Sequence, residues 1–501
     1  MPRAQARRLK RAPNAAMPPP YRVPKTPRLC AQRREQLVQS KVLTRVAVLM
    51  TALLSGTACT TLNAVKTQLI GGSSDSGQPE RLTGFIGAVV ADEPRAALAG
   101  REVLALGGNA ADAAVATAFT LAVTLPSRAG LGSGGACLAY KPDRDGPGRG
   151  SPEAILFTPV APQATPAGAD RPAAVPMMPR GMFALHARYG SRPFEGLLSG
   201  PEQLARFGVP ISRALVRDIA LVAGPLSRDP NAARVFAPGG QPLQEGASLQ
   251  QPDLGGTIAT LRTAGVGDLY QGNLARKFED ASRLAGGPIG IDALRSSLPR
   301  TGGGIVVQSG RDMIAFLPPP ADGGLAAAAA YRSLEAAPAD TAAAQSQATA
   351  ALLQSRGIGG VLPAMPASTG FTVLDRTGMA VTCALTMDNL FGTGRIAPGT
   401  GMLLAAAPSS TGLPMLAAAI VWNPNLRAFR AAIAGSGQEG AALAVAAGLS
   451  NALRSASAMP AAVPEPGRAN AIACARYLPD SDGTCTWATD PRGFGLAAAG
   501  N

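Results

Sequence analysis

Residues 110–123 constrain this chain more than any other segment. They are almost entirely Ala, Val, Leu and Phe, and Pro126 cuts the run off at helical length. A helix lying on a protein surface carries a polar face. This one is apolar around its circumference and has to be covered on all sides. Only a chain with a large interior can do that, and 501 residues, 46% of them apolar, supply the material.

The neighbouring segments read as α and β elements packed around that helix. Phe85-Ile86-Gly87-Ala88-Val89-Val90 is a short buried strand. A helix opens at Glu93-Pro94 and runs to Leu106, where Gly107-Gly108 stop it. After Pro126 comes a glycine-rich loop, Gly130 to Gly135, that leads into the strand Ala136-Cys137-Leu138-Ala139-Tyr140. The loop fits G-x-G-x-x-G at Gly130, Gly132 and Gly135, but a dinucleotide site needs a strand before it and a helix after. The order here is reversed, so the nucleotide reading fails.

Residues 180–300 alternate helical stretches with polar turns. The only histidine, His186, sits on an amphipathic helix over residues 182–189. A serine or cysteine triad would have to use it, yet no G-x-S-x-G elbow supplies a nucleophile. Residues 337–367, rich in Ala, Pro, Gly and Gln, are expected to be loosely ordered. The clearest hairpin follows: strand 370–374, a turn at Asp375-Arg376-Thr377-Gly378, and strand 379–385. Beyond it the sequence predicts a strand over 419–422, a turn at Ala434-Gly435-Ser436-Gly437 and a helix over 441–453.

The formal net charge of +14 is concentrated at the start. Residues 1–50 carry twelve Lys/Arg against one acid, Glu35, so the body is close to neutral. With 4% aromatic residues there is also no stacking platform for nucleic acid, and no nucleic-acid partner is expected. Directly after Arg45 come an apolar run over 46–54 and the small residues Ser55-Gly56-Thr57-Ala58 before Cys59. A basic region, a short apolar region and a small-residue boundary read as an export signal. Gly56-Thr57-Ala58 fits a signal-peptidase site, and Cys59 fits a lipoprotein anchor. The expectation is a protein of a bacterial envelope, periplasmic or held to the membrane through Cys59. In such an oxidising compartment Cys474 and Cys485, flanking a turn-rich segment, suit a small disulfide loop. Cys137 and Cys383 lie in apolar runs and read as buried thiols. With one histidine and no ligand spacing, neither a metal nor a cofactor is expected.

The order of these motifs resembles the gamma-glutamyltransferase family of N-terminal-nucleophile hydrolases. The resemblance rests on Gly107-Gly108-Asn109-Ala110-Ala111-Asp112-Ala113-Ala114, on Pro126 with the glycine loop, and on Ala174-Val175-Pro176 before a helix ending Ala187-Arg188-Tyr189-Gly190. Ser368-Thr369-Gly370-Phe371-Thr372-Val373-Leu374-Asp375, Phe391-Gly392-Thr393-Gly394 and Gly435-Ser436-Gly437 then follow at comparable spacing. The resemblance implies an α+β fold, a four-layer αββα sandwich, and a precursor that cuts its own backbone. The new terminal residue then acts as nucleophile, with its own α-amine, of pKa about 7.7–8.0, as base. The implied organisation is a basic leader with its signal- and lipoprotein-like segment (1–59), a tether (60–82), a large-subunit region (83–367) and a small-subunit region (368–501).

Register against Asp375 puts Ser368 at the family's nucleophile position, with Thr369 as the alternative one residue on. Thr386 falls where the family places a hydroxyl bonded to the nucleophile. The substrate-binding set is altered. The stretch that carries the family's carboxylate-binding Arg reads Thr158-Pro159-Val160-Ala161-Pro162. Its binding Asn aligns with Asp388, beside Asn389, and its acid for the amine falls near Ser410. The glycines of the oxyanion loop become Gln438-Glu439, and Arg128 is the one nearby cation that could replace the missing Arg. The expected substrate is a small amide or peptide other than a gamma-glutamyl compound. The alternative is a catalytically silent scaffold of the envelope.

Overall fold

Two antiparallel sheets face one another, and each carries helices on its outer side. The computed structural model describes residues 81–142, 150–163, 169–356, 367–408, 415–479 and 481–500. The leader with Cys59, the tether up to residue 80, residues 357–366 and Ser410 lie outside them. The strands of the two large sheets are β1 (Gly87–Ala91), β2 (Gly134–Tyr140), β3 (Glu153–Phe157), β4 (Arg300–Gly303), β5 (Ile305–Ser309), β6 (Asp312–Phe316), β7 (Ser368–Asp375), β8 (Ala380–Thr386), β9 (Ala418–Asn423), β10 (Ala428–Ser436), β11 (Arg468–Leu478), β12 (Cys485–Thr489) and β13 (Leu496–Gly500). The first sheet runs β13-β1-β7-β8-β2-β3-β4 and the second β12-β11-β10-β9-β6-β5. The helices that bear on the argument are α1 (Pro94–Ala105), α2 (Ala110–Thr124), α3 (Met178–Tyr189), α4 (Arg213–Leu226), α5 (Gly323–Ala336), α6 (Thr341–Arg356) and α7 (Glu439–Ser455).

Burial falls into three apolar layers, which is what an αββα sandwich requires. Val89, Phe371 and Val373 point outward into a core shared with α1 and α2. Ala88, Val90, Leu374, Ile420 and Ile472 fill the space between the sheets. Ile433 and Ala471 face α5, α6 and α7 on the far side. Because both faces of the inner strands are covered, β1, β7 and β8 are buried at every residue rather than at alternate ones. α2 is buried at every residue. Its start is fixed by Asn109, whose side chain accepts from the backbone of Ala111 and Asp112 while Asp112 reaches back to the Asn109 N–H.

Four sequence expectations are corrected. Residues 341–356 form α6 rather than a loose segment: Ala344, Ala348 and Leu352, spaced by four, bury a stripe in the far-side core. Pro126 does not simply stop α2 but opens a helical turn, Pro126–Ala129, where a missing N–H costs nothing. Residues 434–436 continue β10, and the turn begins at Gly437. Cys137 and Cys383, 246 residues apart in sequence, are directly opposed on β2 and β8 and form a disulfide. The Cys474–Cys485 disulfide closes the β11–β12 hairpin as expected.

His186 is spent on structure. Its ring lies 3.4 Å from Asp112 and its Nε2 is 2.7 Å from the Arg192 carbonyl. Burial alone would push the Asp112 carboxyl up. Hydrogen bonds from His186, Ser191 and the Asn109 backbone outweigh it and hold the group at about 2. The bond to Asp112 correspondingly raises the His186 pKa. The histidine's contribution is therefore complete below about pH 6.5 and lost as pH rises through its elevated folded value. His186→Gln is expected to lower the thermal midpoint more at pH 6 than at pH 9; equal losses at both would show that the imidazolium contributes nothing.

Candidate active site

The hairpin β7–β8 lies in the middle of the first sheet, and its open end holds the candidate site. Ser368 is paired with Thr386 across it. Ser368 is buried, and its Oγ accepts the backbone N–H groups of Gly437 and Gln438, each at 3.1 Å. Those donors belong to the turn between β10 and α7. A Cβ on Gly437, at φ +91°, would lie 2.0 Å from the Pro466 carbonyl oxygen, so only glycine fits. Gln438 takes φ 52°, ψ −116°, a conformation that costs a side-chain-bearing residue about 1–3 kcal/mol. Its side chain donates to the Asp388 carbonyl at 3.2 Å, which fixes the turn.

Thr386 serves the other side of the same peptide bond. Its hydroxyl donates to the Ala367 carbonyl oxygen at 2.8 Å and accepts the Asp388 N–H at 2.9 Å. The bond between Ala367 and Ser368 therefore has a polarising donor on its carbonyl. The serine oxygen has two amides aimed at it, placed to favour negative charge there. Thr369 points elsewhere. Its hydroxyl donates to Asp92 Oδ2 at 2.8 Å, and the Gly370 N–H donates to the same oxygen at 3.2 Å. Asn470 closes this second network, donating to Asp92 Oδ1 at 2.8 Å and to the Gly370 carbonyl at 2.7 Å.

Ser368, Thr386, Asp388 and Gln438 thus come together, with Thr369 behind them on Asp92. Asn389 is exposed in the following turn, where its carbonyl accepts the Gly392 N–H. Glu439 opens α7 with its carboxyl pushed up by burial, and the donor pair is Gly437-Gln438 rather than Gln438-Glu439. The register is one residue earlier because the left-handed glycine turns its own N–H to the serine. Arg128 is corrected more sharply. Its Nε and Nη2 grip Asp218 at 2.7 and 2.6 Å, Ser127 donates to the same carboxylate, and both charged side chains are buried. A bidentate pair of this kind is not free to replace the missing Arg, since breaking it would strand a buried charge. Arg128 lines a cavity of about 250 Å³ with Arg217, Asp218, Glu465, Pro466 and Arg468. Pro466 also abuts Gly437.

Asp92 and Asn470 had no signal in the sequence. Asp92 is an acid at a strand-to-helix turn, and Asn470 reaches it only through the facing sheet, 378 residues away.

A buried hydroxyl at the start of an inner strand, in an αββα sandwich, is the arrangement of N-terminal-nucleophile hydrolases. Among solved structures, the cephalosporin acylase from Bacillus halodurans superposes with a TM-score of 0.69 over 83% of this chain and 96% of that one, at 17% identity, a likeness of fold. The gamma-glutamyltranspeptidase family model matches residues 96–359, just over half of the chain, and the chain belongs to that family. The glutathione hydrolase proenzyme of Bacillus subtilis (strain 168) is 32% identical over 261 residues, 48% of this chain and 43% of that protein. The acylase ACY 1 proenzyme of Pseudomonas sp. (strain SE83) is 34% identical over 226 residues, 41% of this chain and 40% of that protein. The chain thus spans about two fifths of the length of these curated relatives.

The backbone at Gln438 makes a prediction that reverses the usual order. Gln438→Ala and Gln438→Gly both lose the bond to Asp388, but only glycine relieves the conformation. The glycine variant is expected to be the more stable by about 1 kcal/mol in denaturant unfolding. A more stable alanine variant would contradict the geometry.

Proposed function

We propose that this chain is a self-cleaving amidohydrolase or acyltransferase, with Ser368 as its nucleophile. The observation that carries the reading is the pair of contacts flanking one peptide bond: two amides on Ser368 Oγ and the Thr386 hydroxyl on the Ala367 carbonyl. In the proposed first step Ser368 Oγ adds to the Ala367 carbonyl carbon, the C–N bond breaks and the hydroxyl proton passes to the released nitrogen, leaving an ester and a free α-amine. Water then hydrolyses the ester, giving a new carboxyl terminus at Ala367 and a new amino terminus at Ser368. In turnover the α-amine takes the hydroxyl proton as Oγ adds to the carbonyl carbon of an amide; the amide C–N bond then breaks, and the amine leaves with that proton. The acyl-serine passes to water or an acceptor amine. This chemistry needs no histidine, which suits a chain whose only one is bonded to Asp112. The Thr369 hydroxyl, donated to Asp92, supports Ser368 as the nucleophile over its neighbour.

The acyl donor in this reading is not a gamma-glutamyl compound. Thr158 stands where the family resemblance places the carboxylate-binding Arg, and Arg128 is held by Asp218. We assign the donor's distal end to the cavity beside Pro466. Arg217, Glu465 and Arg468 on its walls, beside Leu221 and Pro466, suit an amide with polar, peptide-like groups better than a purely lipophilic one, which would desolvate those charges. We also propose export to a bacterial envelope. The basic leader with its apolar run supports it, as do two disulfides, which persist in oxidising compartments.

The deciding experiment is intact mass with N-terminal sequencing of the purified protein beside Ser368→Ala. The expected outcome is a fragment beginning at Ser368 in the wild type only. A start at Thr369 would move the nucleophile by one, and an uncut wild-type chain would favour the silent-scaffold reading. Thr386→Val is expected to slow cleavage by about 100-fold in a time course on denaturing gels, in line with loss of one donor to a reacting carbonyl. Glutathione hydrolysis is expected to be weak or absent, and robust turnover would refute the altered-donor reading.

A further inference from the structure

We infer that the Cys137–Cys383 disulfide is an intersubunit strap, which ties the two products of self-cleavage into one covalent molecule. The inference rests on the proposed cleavage before Ser368, because that point lies between the two cysteines in sequence. Cys137 belongs to β2, on the large-subunit side, and Cys383 to β8, on the small-subunit side. The two residues are directly opposed, with Cα atoms 4.1 Å apart and both fully buried. Cys474–Cys485 is different. Both of its cysteines follow the cleavage point, so it closes a hairpin within the small-subunit region and joins nothing to the other product.

The sheet order shows where the strap acts. The β7–β8 hairpin is inserted between β1 and β2, so cutting before Ser368 leaves a small-subunit hairpin hydrogen-bonded on each side to a large-subunit strand. One of those seams, β8 against β2, carries the disulfide. The other, β1 against β7, is held without a covalent bond, by the ladder, by packing and by the hydrogen bonds of Thr369 and Gly370 to Asp92. Without the strap the two chains would be a non-covalent pair. With it, dilution or partial unfolding leaves the nucleophile-bearing chain attached to its partner.

Forming the bond removes two electrons and two protons from the two thiols. In an oxidising compartment an external disulfide takes them by thiol–disulfide exchange and leaves as two thiols. Since both sulfurs end fully buried, the exchange has to occur before the β2–β8 seam closes. The strap is therefore set in the uncut precursor, ahead of cleavage, and shielded from reductants in the folded protein.

The test uses the full-length purified protein, thiol-blocked with iodoacetamide, denatured and run on gels with and without dithiothreitol. The expected result is one species of full mass without reductant and two fragments with it. Cys474→Ser/Cys485→Ser is expected to keep that pattern, and Cys137→Ser/Cys383→Ser to give two fragments in both lanes. Two wild-type fragments without reductant would overturn the strap while leaving cleavage intact. One band in both lanes would overturn cleavage and the strap together. Should the cysteine variants fail to fold, unreduced peptide mapping of the wild type decides the same point. A peptide linking Cys137 to Cys383 supports the strap, and a free or differently paired Cys383 refutes it.

Discussion

The site depends on how closely the two sheets approach at one place. A Cβ at Gly370 would lie 2.9 Å from both the Ala434 side chain and the Gly435 carbonyl oxygen, so β7 and β10 meet with glycine between them. That contact brings the turn after β10 within hydrogen-bonding reach of the first residue of β7. If the sheets stood apart by the usual ~10 Å at this corner, the Gly437 and Gln438 amides would have no serine oxygen to meet. The same approach lets Asn470, on the strand beside β10, reach across to Gly370 and Asp92. Fold and site are linked through this single close passage rather than through a flexible loop.

The site's polar groups are held by backbone more than by side-chain ion pairs. The donors to Ser368 are main-chain N–H groups, and the acceptor of the Thr386 hydroxyl is a main-chain carbonyl. Such groups are preorganised once the strands are formed and need no titration to act. Strain is concentrated where these donors are aimed. Gln438 and Asp388, both at positive φ, are joined by a hydrogen bond from one side chain to the other's carbonyl. Each distortion would be costly alone; the surrounding strands and α7 over-determine both.

Much of the fold was legible because its signals are local. The apolar circumference of α2, the hairpin with Asp375 in its turn and the glycine stops around α1 each follow from a few adjacent residues. Asp375 shows why the hairpin reading was sound. Its carboxylate accepts the Thr377 and Met379 N–H groups within the turn and also the Ala110 N–H at the start of α2. What sequence could not give is juxtaposition. The Cys137–Cys383 bond, the Asp92–Asn470 network and the Asp218 partner of Arg128 each join residues that only the sheet order brings together. α6 was misread for another reason: its Ala- and Gln-rich composition resembles a linker, and its buried stripe matters only because a second sheet is there to receive it. In the site, Ser368 and Thr386 are legible only through the family resemblance, and the structure pairs them across the hairpin; the donor pair lies one residue earlier than the sequence reading because the turn starts at Gly437.

In the proposed reading, that division also separates substrate recognition from the reacting groups. Ser368, Thr386 and the amide pair sit on strands whose positions are set by two covered sheets and a shared core, so shifting any of them would disturb packing on both faces. The residues expected to read the acyl donor are elsewhere. Thr158 lies just past β3, Arg128 in a short turn after α2, and the wall of the neighbouring cavity on α4 and the segment before β11. Substitutions there alter charge and shape without changing a residue of the hairpin itself. The Arg128–Asp218 pair illustrates the consequence: an arginine close to the site has been taken up by a buried carboxylate from α4. Its charge now holds α4 against the turn after α2 and is not available to a substrate. In the proposed reading, such a scaffold holds the hydroxyl and its amide donors fixed while the pocket residues are free to vary.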